Sequence, residues 1–287
     1  MLLSVVLTVA PTEPTTAPAV LGRAVHAWAL GRIATVDPAL ARRLHEGNGL
    51  RPLTASNLWG TGRAQDGRVS LDPEHPCWLR VTTLTEETSA AMERALPPPG
   101  ETLTLGDARL VVREISTDVA QHPWAGRVRY TDLVQRHTLA AGATPRSVTL
   151  RFASPTLFRS QDRDLPLPLP DLVFGSYLRK WNSFSPLTLP EDALRYASEC
   201  VALGRFRLHS RLVSFEQSDK GAHVGFTGEA HFRFLVGDAY WTRLMRLLAG
   251  YAFWCGTGYR TTAGLGQTQM VEGWGRGKGE EARRVGQ

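Results

Sequence analysis

Residues 240–271 read YWTRLMRLLAGYAFWCGTGYRTTAGLGQTQMV. Leu244, Leu247, Leu248 and Tyr251 recur at helical spacing up to Trp254, and Gly264 to Val271 returns as extended chain. Between them lie two Gly-x-Gly pairs, Gly256/Gly258 and Gly264/Gly266, enclosing Arg260. A glycine lacks the Cβ that keeps another backbone, or a phosphate, at a distance. A dinucleotide-binding turn needs a strand before its glycines and a helix after them, the reverse of this order. A Walker loop needs Gly-Lys-Ser/Thr, which is absent. What remains is either a tight turn or a loop built for close approach, joining a helix to a final strand.

Working back from that strand, Ser147–Ala153 (SVTLRFA) alternates with Val148, Leu150 and Phe152 on one face, as a half-buried strand does. Leu165 to Pro170 (LPLPLP) can be neither helix nor central strand. Asp171 to Phe184 reads as helix, and Glu191 to Leu203 as another. Phe206–Phe215 and His223–Phe234 read as two strands across the turn Ser218-Asp219-Lys220-Gly221. The first half has the same order. Leu2–Val9 is a buried strand, Ala19–Ile33 a helix, and Asp37-Pro38 a cap for a short helix to Glu46 that Gly47-Asn48-Gly49 ends. Leu50–Trp59 and Trp78–Leu84 are strands around a polar loop at Gly60–Asp72, Glu86–Leu96 is a helix stopped at Pro97-Pro98-Pro99-Gly100, and Leu103–Ile115 closes the half with a turn at Gly106-Asp107. Ser116–Pro145 reads as a connector with some local strand. The expected class is α+β, two tandem ferredoxin-like (RRM-like, βαββαβ) domains: residues 1–140, residues 146–275, and a flexible tail at 276–287.

Of the 287 residues 43% are apolar, enough for a sizeable core. Lys and Arg exceed Asp and Glu by 33 to 27, nearly all of the excess being arginine, whose planar fork suits phosphate and stacks on bases. That balance permits RNA without requiring it. Cys77, Cys200 and Cys255 stand apart, with no Cys-x-x-Cys and no His at ligand spacing, which fits a reducing, cytoplasmic setting. The apolar N-terminus lacks the basic flank of a signal peptide, and no run approaches the roughly twenty apolar residues of a membrane span.

Four stretches in register resemble one family, the CRISPR-associated endoribonucleases that cut precursor CRISPR RNA at its repeats, the Cas-six family. They are the Gly256–Gly266 loop; SVTLRFASPTLFR from Ser147; Leu178-Arg179-Lys180-Trp181-Asn182; and Asp37-Pro38 through Leu44-His45-Glu46 to Arg51-Pro52-Leu53-Thr54. The resemblance implies two ferredoxin-like domains, RNA held by a basic surface and the glycine loop, and cleavage without metal or other cofactor. In that chemistry the upstream ribose 2′-hydroxyl attacks its own phosphodiester, leaving a 2′,3′-cyclic phosphate and a 5′-hydroxyl. The partner implied is CRISPR repeat RNA as precursor crRNA; other Cas proteins of an effector complex and a homodimer are left open.

The family's active-site histidine falls on His45, at the end of the short helix. A helix-end histidine is otherwise a dipole partner, but imidazole exchanges protons near neutrality and can reach a bound phosphate. Arg51, where some relatives carry lysine, would stabilise the pentacoordinate phosphate and cannot act as an acid. Some relatives place a tyrosine in the first helix where Leu30 stands here; His26, one turn earlier on the same side, could take that second acid/base role. The glycines Gly256, Gly258, Gly264 and Gly266 with Arg260 are the expected RNA grip, and Arg179, Lys180 and Arg23 are further RNA-contact candidates. Trp181 shares a helix face with Leu178 and Phe184 and reads as core. His75, His122, His137, His209, His223 and His231 are too scattered for a metal site. Two rival readings are a non-catalytic RNA-binding subunit of an effector complex and a nucleotide-handling enzyme; the second needs a carboxylate cluster that the sequence lacks.

Overall fold

The computed structural model describes residues 1–47, 49–139, 144–161, 163–215 and 222–272. The expected tail 276–287, the turn at Ser218–Gly221 and Asn48 lie outside the described residues.

The first half runs β1 (Leu2–Pro11), β2 (Thr15–Pro18), α1 (Gly22–Val36), α2 (Pro38–Glu46), β3 (Leu53–Ala55), β4 (Arg68–Leu71), β5 (Cys77–Thr83), α3 (Glu86–Arg94), β6 (Thr102–Leu105) and β7 (Ala108–Ser116). Then come β8 (Gly126–Val128) and α4 (Tyr130–Thr138). The second half runs β9 (Ser147–Thr156), β10 (Phe158–Ser160), β11 (Arg163–Leu165), α5 (Pro170–Phe184), α6 (Asp192–Cys200), β12 (Val201–Ser214), β13 (Ala222–Phe234), α7 (Ala239–Cys255) and β14 (Thr268–Val271). The two main sheets have the orders β3-β5-β1-β7-β6 and β12-β13-β9-β14, antiparallel throughout. In each, the first strand of the half lies between its third and fourth, the pairing of a ferredoxin-like unit. The chain is two such units in tandem.

Alternation explains one face of each sheet. Leu3, Val5, Leu7 and Val9 of β1 pack with Val25, Ala29 and Ile33 of α1, and Val148, Leu150 and Phe152 of β9 pack with α5 and α7. Yet β1 is buried on both faces, because Val6 lies under Trp124 and Ala125 and Leu2 belongs to the second core. The connector and the end of α7 thus cover the face of the first sheet that its own helices leave open. A strand buried on both sides loses the polar half of its alternation. Local chemistry sets the helix starts: Asp37 accepts from Leu40 N at 2.9 Å with Pro38 at the first position, and Thr85 and Thr88 form a reciprocal cap on α3.

Several boundaries differ from expectation. Strand Leu50–Trp59 shrinks to Leu53–Ala55 because Ser56 pairs with Gly264 of the glycine loop and Trp59 with Trp78. The helix expected to Leu203 stops at Cys200, since Val201–Leu203 pairs with Phe232–Phe234. The polar segment 60–72 contains β4, which pairs with β2 in the Thr/Pro-rich connection. The connector holds α4, whose Tyr130 and Leu133 dock into the second core. Among the described residues no helix is long and apolar enough to cross a membrane.

Candidate active site and nucleic-acid interface

The site begins where α7 ends. The last carbonyls of a helix lack intrahelical partners and carry partial negative charge. Here side chains from both halves meet them: Arg80 Nη2 donates to Phe253 O at 2.6 Å, Thr82 Oγ1 to Trp254 O at 2.6 Å, and Lys180 Nζ to Cys255 O at 2.9 Å and Gly256 O at 3.0 Å. Lys180 is buried, and burial lowers its pKa to about 8. This corrects the expectation that Lys180 contacts RNA: its ammonium is turned inward onto the helix end. Arg179, its neighbour, is exposed.

The glycine loop that follows is held mainly by the chain itself. Thr257 N donates to Gly266 O at 2.8 Å, Gly266 N to Pro155 O at 3.0 Å, Tyr259 N to Leu157 O at 2.9 Å and Gly258 N to Ser176 Oγ at 3.0 Å. A Cβ on Gly266 would lie 2.1 Å from Thr257 O, and one on Gly258 2.3 Å from Leu157 O, both at positive φ, so these positions accept no side chain. Gly256 and Gly264 are buried. Gly264 N also reaches across to Ala55 O at 3.1 Å, and Asn57 Oδ1 accepts from Leu21 N and Gly22 N at 2.9 and 2.7 Å, fixing the start of α1 against the loop. The four glycines therefore mould the loop and seat it on the first domain; Thr257, Thr261, Ala263 and Leu265 turn inward, leaving Tyr259 and Arg260 half-exposed at its tip.

At the loop tip Arg260 adopts a left-handed backbone with φ 55°. Its guanidinium lies 4.6 Å from the Phe215 ring centre and 5.2 Å from that of Tyr259. Arg23 of α1 stacks on Phe215 at 5.0 Å, and Arg159 on Tyr259 at 5.5 Å. Hydrogen bonding from Arg260 lowers the Tyr259 pKa, against a smaller effect of burial, and Arg159 adds to it. Three arginines from three separated segments thus converge on two rings, at the seam between the halves. Flat cations over aromatic faces offer both phosphate neutralisation and base stacking. Arg159, Phe215 and Tyr259 were not singled out from sequence; the Tyr259-Arg260 adjacency inside the glycine loop was the available signal. Along β12, Arg205, Arg207 and Arg211 alternate on an exposed face opposite His231, Glu229 and Gly225, extending the basic surface across the second sheet.

One turn along α1 from Arg23 sits His26. It is half-buried, and its Nε2 is shielded from solvent with no hydrogen-bond partner among the described residues. Burial lowers its pKa, and the charges of Arg51 and then His45 lower it further. The helix α2 places His45 in its exposed last turn, and Arg51 Nη2 folds back to cap the His45 carbonyl at 3.0 Å. His26, His45 and Arg51 therefore share one neighbourhood although they come from α1, α2 and the approach to β3. Leu30 is a core residue, 8% exposed. The arrangement offers an imidazole held neutral, a second imidazole open to solvent and a fixed cation, sufficient for proton exchange beside a phosphate. Among the described residues no three His, Cys, Asp or Glu gather as a metal-ligand group.

Comparison with known proteins bears on both halves. The model of the Cas6 N-terminal domain matches residues 1–135, and that of the CRISPR-associated endoribonuclease Cas6 matches residues 150–268. A comparison with curated protein sequences returns no match. Among solved structures, a Cas6 (TTHB231) product complex is 27% identical with a TM-score of 0.77, covering 94% of this chain and 100% of that one. A Cas6 (TTHA0078) product complex is 25% identical with a TM-score of 0.75, covering 94% and 99%. A Cas6-related protein from Pyrococcus furiosus, 14% identical with a TM-score of 0.61 over 96% and 100% of the two chains, shares the fold. Two family models that between them span nearly the whole described chain, on a tandem ferredoxin-like fold, make this protein a member of the Cas6 family of CRISPR-associated endoribonucleases.

Proposed function

We propose that this protein cleaves precursor CRISPR RNA within its repeats by a metal-independent transesterification carried by His26, His45 and Arg51. The observation that carries the reading is the convergence of those three side chains beside an arginine- and aromatic-lined seam that joins both domains. The solved relatives named as Cas6 product complexes and as a substrate mimic complex support RNA as the ligand.

Neutral His26, its charged form disfavoured by burial and by Arg51, takes the proton of the 2′-hydroxyl upstream of the cut. The 2′-oxygen bonds to phosphorus as the bond from phosphorus to the 5′-oxygen breaks, and His45 gives the departing 5′-oxygen its proton. Arg51 faces the charge that builds on the phosphoryl oxygens. The products are a 2′,3′-cyclic phosphate on one fragment and a 5′-hydroxyl on the other. Because Nε2 of His26 is covered in the RNA-free chain, seating the RNA must draw a neighbour aside. Arg51, tethered to the His45 carbonyl, is a side chain that a phosphate attracts. The RNA path leads from there over Arg23, Phe215, Arg260, Tyr259 and Arg159, with exposed Arg179 of α5 a further contact.

The test replaces the ribose 5′ to the scissile phosphate by deoxyribose, which removes the nucleophile. Binding then persists and cutting stops. Continued cutting at that bond would overturn the mechanism.

A further inference from the structure

Arg80 lies on β5 opposite Val6, on the face of the first sheet turned away from α1 and α3. It is 2% exposed. Its Nε donates to Ser4 Oγ at 2.8 Å and Trp124 O at 3.0 Å, its Nη1 to Gln267 Oε1 at 2.7 Å, and its Nη2 to Phe253 O at 2.6 Å. The guanidinium lies against the stacked pair Phe253 and Trp124, 4.2 Å and 5.0 Å from their ring centres. Every one of these acceptors is neutral. Burial lowers its pKa to about 9, still leaving it charged at neutrality. A buried cation without a carboxylate is a poor way to gain stability, since well-packed apolar groups do as well or better. Its value must lie in what it aligns.

The acceptors belong to both halves: Ser4 to the first, Phe253 and Gln267 to the second, and Trp124 to the connector. Gln267 closes the glycine loop, and its Nε2 continues to Ala55 O at 3.3 Å, the same carbonyl that Gly264 N meets at 3.1 Å. Two residues on, Asn57 caps the start of α1, on which His26 sits one turn further. Hydrogen bonds thus run from Arg80 through Gln267 to the β3 end and the glycine loop, and the chain from Ala55 to Asn57 carries the link on to the helix that bears His26.

We propose that Arg80 is a positioning residue for RNA cleavage, setting the register between the glycine loop of the second domain and the histidines of the first. It touches no RNA itself. The proposal rests on the catalytic reading above, and it makes a claim of its own about the relative placement of the two domains. Misplacement of reacting groups by about 1 Å can cost on the order of 10²-fold in rate.

The experiment compares wild type with Arg80→Lys, which keeps the charge and loses the planar fork, and with Gln267→Leu, which keeps Arg80 and breaks its link to Ala55. Three quantities are read: affinity for the 2′-deoxy RNA, single-turnover cleavage at saturating RNA, and the distance distribution between spin labels at Thr35→Cys and Ser198→Cys in a Cys200→Ser background. Both label sites are exposed. We expect affinity within about 3-fold of wild type, cleavage slower by about 100-fold for Arg80→Lys, a smaller loss for Gln267→Leu, and a broadened distance distribution. A folded Arg80→Lys that cuts at the wild-type rate overturns the proposal. So does a loss of affinity equal to the loss of rate, which marks a general structural role. If Arg80→Lys does not fold, Gln267→Leu decides: an unchanged rate and unchanged distances overturn the proposal. If wild type fails to cut, the catalytic reading fails, and the distance distribution alone then supports or overturns the alignment by Arg80.

Discussion

Arg51 reaches back to the carbonyl of His45, 3.0 Å from its Nη2, and its charge, then that of His45, adds to the burial that lowers the pKa of half-buried His26. One cation thereby caps a helix, adds to the burial that disfavours the charged form of a neighbouring imidazole, and stands ready for phosphate. Replacing Arg51 by alanine should slow the single-turnover step and let the His26 pKa rise toward its ordinary value. An NMR titration of the His26 ring checks this, and a pKa that falls further would contradict it.

His26 should mark the acidic side of the pH profile. With the His26 pKa displaced below about 6.5, the acidic limb of the rate profile lies below that value, because protonated His26 cannot accept the 2′-proton. His26→Ala should remove this limb and slow cutting by about 10²- to 10⁴-fold. Single-turnover rates across pH 5–9 show it. An unaltered acidic limb in the variant would assign that limb to another group.

Arg260 and Lys180 are both expected RNA contacts, yet the fold turns Lys180 inward onto the end of α7 and leaves Arg260 half-exposed at the loop tip. Arg260→Ala should weaken RNA binding at every salt concentration tested and lower the salt slope of the affinity by about 1. Lys180→Met should leave that slope unchanged and reduce stability by about 1–3 kcal/mol, because two helix-end carbonyls lose their donor. Filter binding over a salt series and thermal melting distinguish the two.

Stability itself should fall on acidification. His137 packs over Gly250, where an added Cβ would come 2.3 Å from its Nε2, and burial first, then Arg246 and Arg136, lower its pKa to about 4. His26 shifts the same way. An unfolded chain takes up both protons near pH 6.5, which the folded chain refuses until lower pH. Between about 6.5 and 4 the unfolded state therefore binds more protons, so stability is present above that window and drains away as pH falls through it. Through these two histidines the denaturation midpoint should decline as pH falls below about 6.5, less steeply in His137→Gln.

The tandem architecture was legible because each half repeats strand, helix, strand, strand, helix, strand with clean alternation in Val148, Leu150 and Phe152. His26, His45, Arg51 and Arg260 could be picked from local pattern and resemblance. What the sequence hid were contacts made between the halves. In β5, Cys77, Leu79 and Val81 face the helices, so Trp78, Arg80 and Thr82 read as a solvent face until the end of α7 is known to cover it. The same holds for Lys180: Leu178, Trp181 and Phe184 mark the buried face, but only the position of the α7 terminus reveals that a lysine beside them is buried too. Phe215 and Arg159 lie far from the glycine loop in sequence, and only folding brings them to Tyr259 and Arg260.

The most direct test of the account incubates labelled repeat RNA in EDTA with the wild-type protein and with His45→Ala. Wild type should make a single cut and leave an upstream fragment ending in a 2′,3′-cyclic phosphate, while the variant should keep binding and cut about 10²- to 10⁴-fold more slowly. Cutting that EDTA abolishes and magnesium restores, or a His45→Ala protein that cuts at the wild-type rate, would contradict it.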